Sequence, residues 1–211
     1  MAFEFFRLNV PNVRHALTDI SLTSSVPALI TSAVHGSTYH SDIPTYYYFT
    51  SCASTLAALL YLPTLHVQTT KSFKDLASDL FHIPGLPPIK GSDFPDPVLD
   101  RDDRGYYEFL NFGASLPKSK GIIANTFGAV EPRAIRAIID GYCTPNCVFP
   151  PGYCIGPITA KAGDRVGISA SERLADCLAW PDAQPTKSVV FLCFGSRGTF
   201  AAAELREIAI G

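Results

Sequence analysis

Phe194-Gly195-Ser196-Arg197-Gly198 follows an apolar run and precedes a helix-forming stretch. Backbone amides at such a strand-to-helix turn favour an anionic group such as phosphate. Gly195 lets a ligand approach the backbone closely, and the Ser196 hydroxyl can donate to a phosphate oxygen. An ordinary βα turn has the same composition, so both readings stand. The segment lacks the Gly-Lys-Ser/Thr of a Walker loop and the third glycine of a dinucleotide fingerprint. It is not a nucleophile elbow either, because Phe194 stands where the first glycine belongs. Thr50-Ser51 closes a run of β-forming aromatics. Ligands of open α/β sheets sit beyond the carboxyl ends of the strands, where a hydroxyl pair can bond a sugar or phosphate oxygen. The competing reading makes Ser51 the N-cap of a helix.

Other reactive side chains offer less. His15, His35, His40, His66 and His82 have no carboxylate at a spacing that orients an imidazole as a base. Asp100, Asp102 and Asp103 are interleaved with Arg101 and Arg104 and read as the solvated start of a helix. Cys143, Cys147 and Cys154 match no zinc spacing, so the six cysteines are expected as reduced thiols, with no metal and no cofactor.

A frame for these groups is legible in the alternation of patterns. Val26–Ile30, Ile43–Thr50, Gly121–Phe127, Tyr153–Ile155 and Ser188–Phe194 read as strands, the last apolar enough for a parallel sheet covered on both faces. Ala53, Leu56, Ala57 and Leu60 form a helical stripe that Pro63 is expected to end or kink. Arg101–Leu116 reads as a helix with Tyr106, Phe109, Leu110 and Gly113 on one side. Pro132, Ile135, Ile138, Ile139 and Gly141 mark a helix with its start and stop. Ser171–Ala179 and Ala201–Ile210 are the remaining helices, the latter with Leu205, Ile208 and Ala209 inward. A Pro-rich loop spans Ile83–Pro97, and Pro157–Ser169 reads as a linker. Alternating strands and helices make the class α/β.

Composition bounds the function. The 211 residues are 47% hydrophobic and 17% charged, against about 25% charged in an average soluble domain. Seventeen Lys plus Arg against nineteen Asp plus Glu give a net charge of −2. A phosphate-neutralising nucleic-acid binder and an acidic disordered chain are both excluded. No apolar run approaches the roughly 20 residues of a membrane span. Nothing after Met1 reads as a secretory signal, so a cytoplasmic protein is expected. At about 150 residues per domain the length amounts to roughly one and a half domains. The half has a location: a single strand and helix after the linker cannot make a sheet of their own.

Several segments in fixed order are more specific than any one. They are Ile43-Pro-Thr-Tyr-Tyr-Tyr-Phe-Thr-Ser, Ile83-Pro-Gly-Leu-Pro-Pro-Ile, Gly121-Ile-Ile-Ala-Asn-Thr-Phe with Glu131-Pro-Arg, Tyr153-Cys-Ile-Gly-Pro, and Cys177-Leu-x-Trp180-x-Asp182-x-Gln184-Pro before Ser188–Ser196. Together they resemble the plant UDP-glycosyltransferases that glucosylate flavonoids, isoflavonoids and related phenolics, over nearly the whole chain. The resemblance implies a GT-B fold of two Rossmann-like domains, with UDP-glucose as co-substrate and a phenolic acceptor. It implies an inverting reaction in which a His base, oriented by an Asp, deprotonates the acceptor hydroxyl. Residues 1–157 would be a partial acceptor-binding domain and 158–187 a linker with a short helix. Residues 188–211 would be the first strand, loop and helix of the UDP-sugar-binding domain. Gly195 and Ser196 match a loop that contacts UDP, and Thr50 a hydroxyl that contacts the transferred sugar. Tyr106, Phe109 and Phe112 match a helix lining the acceptor pocket, where aromatic walls suit a flat phenol.

The sequence departs from that pattern at the chemistry. Met1 aligns inside the family's acceptor domain, after the loop that bears the base. Thr31-Ser32 stand where the orienting Asp is expected, and Ser32 cannot hold an imidazolium as a carboxylate does. Pro181 replaces the usual Leu, and the Trp- and Gly-rich donor signature does not follow Gly211. The expected outcome is an inactive piece of a glucosyltransferase. The alternative is a non-catalytic module that binds a small molecule or a protein. A hydrolase using Ser196 or Cys193 is set aside, for want of a base near either.

Overall fold

The computed structural model describes residues 2–32, 42–158, 179–190, 192 and 199–210. The chain divides into two units, Met1–Thr159 and Ala160–Gly211. The first runs α1 (Ala2–Thr23), β1 (Leu29–Thr31), β2 (Thr45–Phe49), α2 (Ala53–Gln68), β3 (Leu80–Phe81), β4 (Ile89–Lys90), α3 (Asp96–Leu99), α4 (Arg104–Ser115), β5 (Gly121–Ala124), α5 (Pro132–Ile139) and β6 (Gly152–Cys154). Four strands form one sheet in the order β1-β2-β5-β6. Every neighbouring pair in it is parallel, with Ile30 opposite Tyr46, Tyr47 opposite Ile122, and Ile123 opposite Tyr153. A parallel pair needs a crossover between its strands, and α2 through α4 supply it between β2 and β5.

The alternation in Thr45–Phe49 buries Thr45, Tyr47 and Phe49 and leaves Tyr46 and Tyr48 half-buried. Tyr47 and Phe49 join Leu56, Leu60, Leu116, Ile122 and Ile138 in one core. A second core forms around Leu62, Leu65, Phe73, Phe94, Val98 and Tyr106. In it Phe73 stacks on Phe94 with centroids 4.2 Å apart, and Phe81 meets both edge-on. Helix α2 serves both cores because, of the end or kink expected at Pro63, the end does not occur and the helix continues to Gln68. The proline has no N–H for the Leu59 carbonyl. Gly113 of α4 occupies that place, so close that a Cβ there would lie 2.2 Å from the Leu59 oxygen. The two helices thus meet backbone to backbone where the ladder of α2 is interrupted.

Three elements lie where the sequence reading assigned none or assigned otherwise. Helix α1 carries Val10, Val13 and Leu17 against Val26, Leu29 and Ile43, despite Pro11 within it. Strands β3 and β4 form an antiparallel pair that brackets the start of the Pro-rich stretch. The expected cap Ser51 is not the cap of α2. Cys52 holds that position and caps with no side-chain hydrogen bond. Helix α5 ends as expected, with Gly141 at φ +80° and amides of Gly141 and Tyr142 returning to Ile138 and Ala137.

In the second unit, residues 179–182 are helical and α6 spans Ala202–Ile210. The inward face expected for α6 is not formed, since Leu205 is 51% exposed and no residue of the helix is buried. Of the expected strand at 188–194, Ser188–Val190 and Leu192 are described and lie in no ladder. A parallel strand needs a neighbour, and the described residues of this unit include no other strand.

An apolar cavity at the carboxyl end of β2 as the candidate functional site

Where β2 ends, α2 and α4 diverge enough to leave a cavity of about 130 Å³. Its aromatic walls come from Phe49 at the strand end, Phe94 before α3, and Phe109 and Phe112 on α4. Ala58, Leu59 and Leu62 of α2, with Pro95 and Val98, complete the apolar lining, and Thr55 contributes the one hydroxyl. The Thr55 Oγ1 sits 3.2 Å from the Cys52 sulfur. A dry apolar cavity of about 150 Å³ accepts a benzene ring, so this volume suits one aromatic ring. None of the lining residues titrates. The site can therefore bind and orient a flat apolar group, but its walls move no proton.

The expected site residues separate. Phe109 and Phe112 line the cavity, and Phe112 also packs edge-on against Tyr47 with centroids 5.8 Å apart. Thr50 stands exposed one residue beyond Phe49, at the carboxyl end of its strand. Tyr106 is not among the lining residues. It is fully buried in the second core, its hydroxyl 2.9 Å from His66 Nδ1. Gly195 and Ser196 lie outside the described residues, as do His35, His40, Cys177 and Cys193.

His66 is a structural acceptor. Its Nδ1 is 2.6 Å from the Arg101 guanidinium, which can only donate, so that nitrogen carries no proton. Burial, and then the Arg101 charge, hold its pKa below the usual imidazole value. Arg101 also donates to the carbonyls of Thr69 and His66 and lies over the Tyr106 ring. The charged stretch is thus only partly a solvated helix start. Asp103 caps α4 by accepting from the Gly105 amide, Asp100 pairs with Lys74, and Arg101 turns inward. One histidine does have a carboxylate: His15 Nε2 is 3.4 Å from Asp19 Oδ2, four residues on. Both side chains are exposed on α1, and neither lines the cavity.

The group that ties the start of α2 was not assigned a role in the sequence reading. Glu131, just before α5, reaches the first turn of α2 with both carboxylate oxygens. Oε2 accepts from the Ala53 amide at 2.8 Å and the Thr126 hydroxyl at 2.6 Å. Oε1 accepts from the Ser54 amide at 2.9 Å and the Ser54 hydroxyl at 2.6 Å. Partial burial pushes the Glu131 pKa up, but the hydrogen bonds from Ser54, Thr126 and Ala53 outweigh it and hold the group at about 2. A carboxylate supplied from another loop thereby does the work expected of a local Ser cap. In the sequence Glu131 stood out only within the Glu131-Pro-Arg segment that follows Gly121–Phe127, which carried the family resemblance and no role for the carboxylate.

Among the described residues, no helix is long and apolar enough to cross a membrane. No family model matches the chain. It is 46% identical over 217 residues to UDP-glycosyltransferase 88F3 of Pyrus communis, covering 99% of this chain and 45% of that protein. It is 45% identical over 221 residues to a phloretin 2'-O-glucosyltransferase of Pyrus communis, covering 100% and 45%. Phytolacca americana UGT2, complexed with UDP-2-fluoro-glucose and pterostilbene, superposes with a TM-score of 0.80 at 33% identity, covering 99% of this chain and 45% of that one. The chain thus spans just under half the length of the proteins it matches, and its parallel α/β sheet is part of their GT-B fold. With 45–46% of its residues shared with such proteins over 99–100% of its length, the chain belongs to the plant UDP-glycosyltransferase family.

Proposed function

We propose that this chain carries the acceptor-binding part of an inverting UDP-glucosyltransferase, which transfers glucose from UDP-glucose to a phenolic hydroxyl. The observation that carries the reading is the apolar cavity beside Thr50, walled by four phenylalanines and sized for one aromatic ring. The cavity lies at the carboxyl end of β2, where ligands of open α/β sheets sit, and Thr50 follows Phe49 there as the hydroxyl assigned to the transferred sugar. The relatives support the class, since one is named for glucosylating phloretin and one solved neighbour holds pterostilbene. In this reading residues 1–157 are the acceptor side and 188–211 begin the donor side, with Gly195 and Ser196 meeting UDP.

Binding and turnover separate in the 211-residue chain. The cavity supplies position and water exclusion. A base is needed to take the proton of the attacking hydroxyl, and none of the described lining residues is one. At Thr31-Ser32 the expected orienting carboxylate is also missing. The chain is therefore a binder of neutral phenols that does not turn over by itself. Titration with pterostilbene tests the first part, with saturable binding expected and its loss in Ala58→Phe, which fills the cavity. Absence of binding to the folded chain refutes the acceptor assignment. Incubation with UDP-glucose and a phenol panel tests the second, and glucoside formation refutes it.

A further inference from the structure

Thr50 stands on the short turn Thr50–Cys52 between the last residue of β2 and the first of α2. The strand side of this turn is tied to β5's end, where the Asn125 amide donates to the Phe49 carbonyl at 3.2 Å. The helix side is tied across to α5 by Glu131, which accepts from the Ala53 and Ser54 amides. Through Thr126, which is buried, the same carboxylate also grips the loop after β5. One side chain therefore sets the spacing of the two loops that follow neighbouring parallel strands.

The donor count says why a carboxylate is required. Two oxygens offer about four acceptor sites, and four donors fill them, two per oxygen. Each oxygen faces one backbone amide, which cannot rotate away. A glutamine in either orientation would aim its NH₂ at one of those amides. There is a second consequence. The first amides of a helix attract anions, and here an internal anion already occupies them.

We propose that Glu131 is the positioning residue of this site: it fixes the Thr50 turn against the β5–α5 loop and, by filling the Ala53 and Ser54 amides, closes the start of α2 to a phosphate of the ligand. The ligand half of this statement rests on the acceptor-side reading above. The positioning half does not.

The experiment uses the 211-residue chain and its Glu131→Gln and Glu131→Ala variants, with Ser54→Ala as a milder change and Ile138→Val as a control that destabilises α5 without touching the carboxylate. Amide exchange is measured residue by residue, and pterostilbene affinity is measured alongside. Glu131→Gln is expected to lose about 10- to 100-fold protection at Ala53 and Ser54, the range for hydrogen bonds to a charged group. It is expected to weaken pterostilbene about tenfold. Ile138→Val should change neither. Inorganic phosphate, against chloride at matched ionic strength, should raise the melting temperature of Glu131→Ala by more than that of the unmodified chain. Unchanged exchange in Glu131→Gln overturns the proposal whatever the binding result. Lost protection with unchanged affinity also overturns it, because Glu131 is then only structural. If the unmodified chain binds no pterostilbene, the acceptor-side reading fails. The exchange and phosphate arms then decide the positioning role, and a phosphate-insensitive Glu131→Ala counts against it.

Discussion

Gly113→Ala tests whether the contact between α2 and α4 is as close as the backbone places it. At an ordinary position inside a helix, this change stabilises by about 1 kcal/mol through helix propensity. Here the new Cβ would lie 2.2 Å from the Leu59 oxygen, 3.2 Å from its carbonyl carbon and 3.4 Å from Pro63 Cδ. A carbon–oxygen contact relaxes to about 3.3 Å, so α4 must withdraw by roughly 1 Å. The obstructing atom is backbone inside a helix, not the end of a flexible side chain, so the overpacking cost falls near the top of its usual range, about 3 kcal/mol. Subtracting the propensity gain leaves a net loss of about 2 kcal/mol. At about 2–4 °C per kcal/mol for a chain of this size, the melting temperature should drop by about 4–8 °C. Thermal unfolding followed by circular dichroism reads this directly. Gly128→Ala, where a Cβ meets nothing within 4 Å, is the control and should stay within about 0.5 kcal/mol of the unmodified chain. Because Phe109 and Phe112 ride on α4, pterostilbene affinity should fall together with stability. A Gly113→Ala chain that melts at or above the unmodified temperature would refute the argument, since propensity alone would then rule the site.

Acid titration should expose Glu131. Its folded pKa is about 2 against an ordinary 4.5, so its contribution is fully present above 4.5 and drains away as pH falls toward 2. The stability gap between the unmodified chain and Glu131→Gln should narrow over that window, measured by denaturant unfolding, and a gap that stays constant assigns the effect to another group. Burial pushes the Cys143 thiol up to about 12, while Cys52 and Cys147 are exposed. Alkylation near neutral pH, read site by site by mass spectrometry, should label Cys143 after Cys52 and Cys147, and only on unfolding. Early labelling of Cys143 would show that the core opens locally.

How far the sequence could be read depended on whether a signal was local. The alternation in Thr45–Phe49 set one buried and one half-buried face, and the two-residue period of a strand leaves no other arrangement. Pro132 and Gly141 bounded α5 because each acts on its own dihedral angles. Phe109 and Phe112 fell on the cavity face because their spacing fixes one side of α4. Tyr106, three residues before Phe109, shares that side, yet it went to the second core, where His66 and Arg101 answer its hydroxyl and ring. Helical spacing ranks faces and does not say which of two adjoining cores a face will meet.

By itself, then, the sequence determined the α/β class, the alternation of strands and helices through residue 154 and the family, all of which follow from short-range periodicity or from ordered motifs. Tertiary structure alone decided that α2 runs through Pro63, that Gly113 seats against the carbonyl the proline leaves free, and that Glu131 caps a helix 77 residues away. Each of these is a bargain between distant groups. A proline's missing donor is tolerable only if something else approaches the orphaned acceptor, and a helix start without its own cap is tolerable only if a carboxylate arrives from elsewhere. No residue signals such a partner in its own neighbourhood, so only the folded chain reveals that it has one.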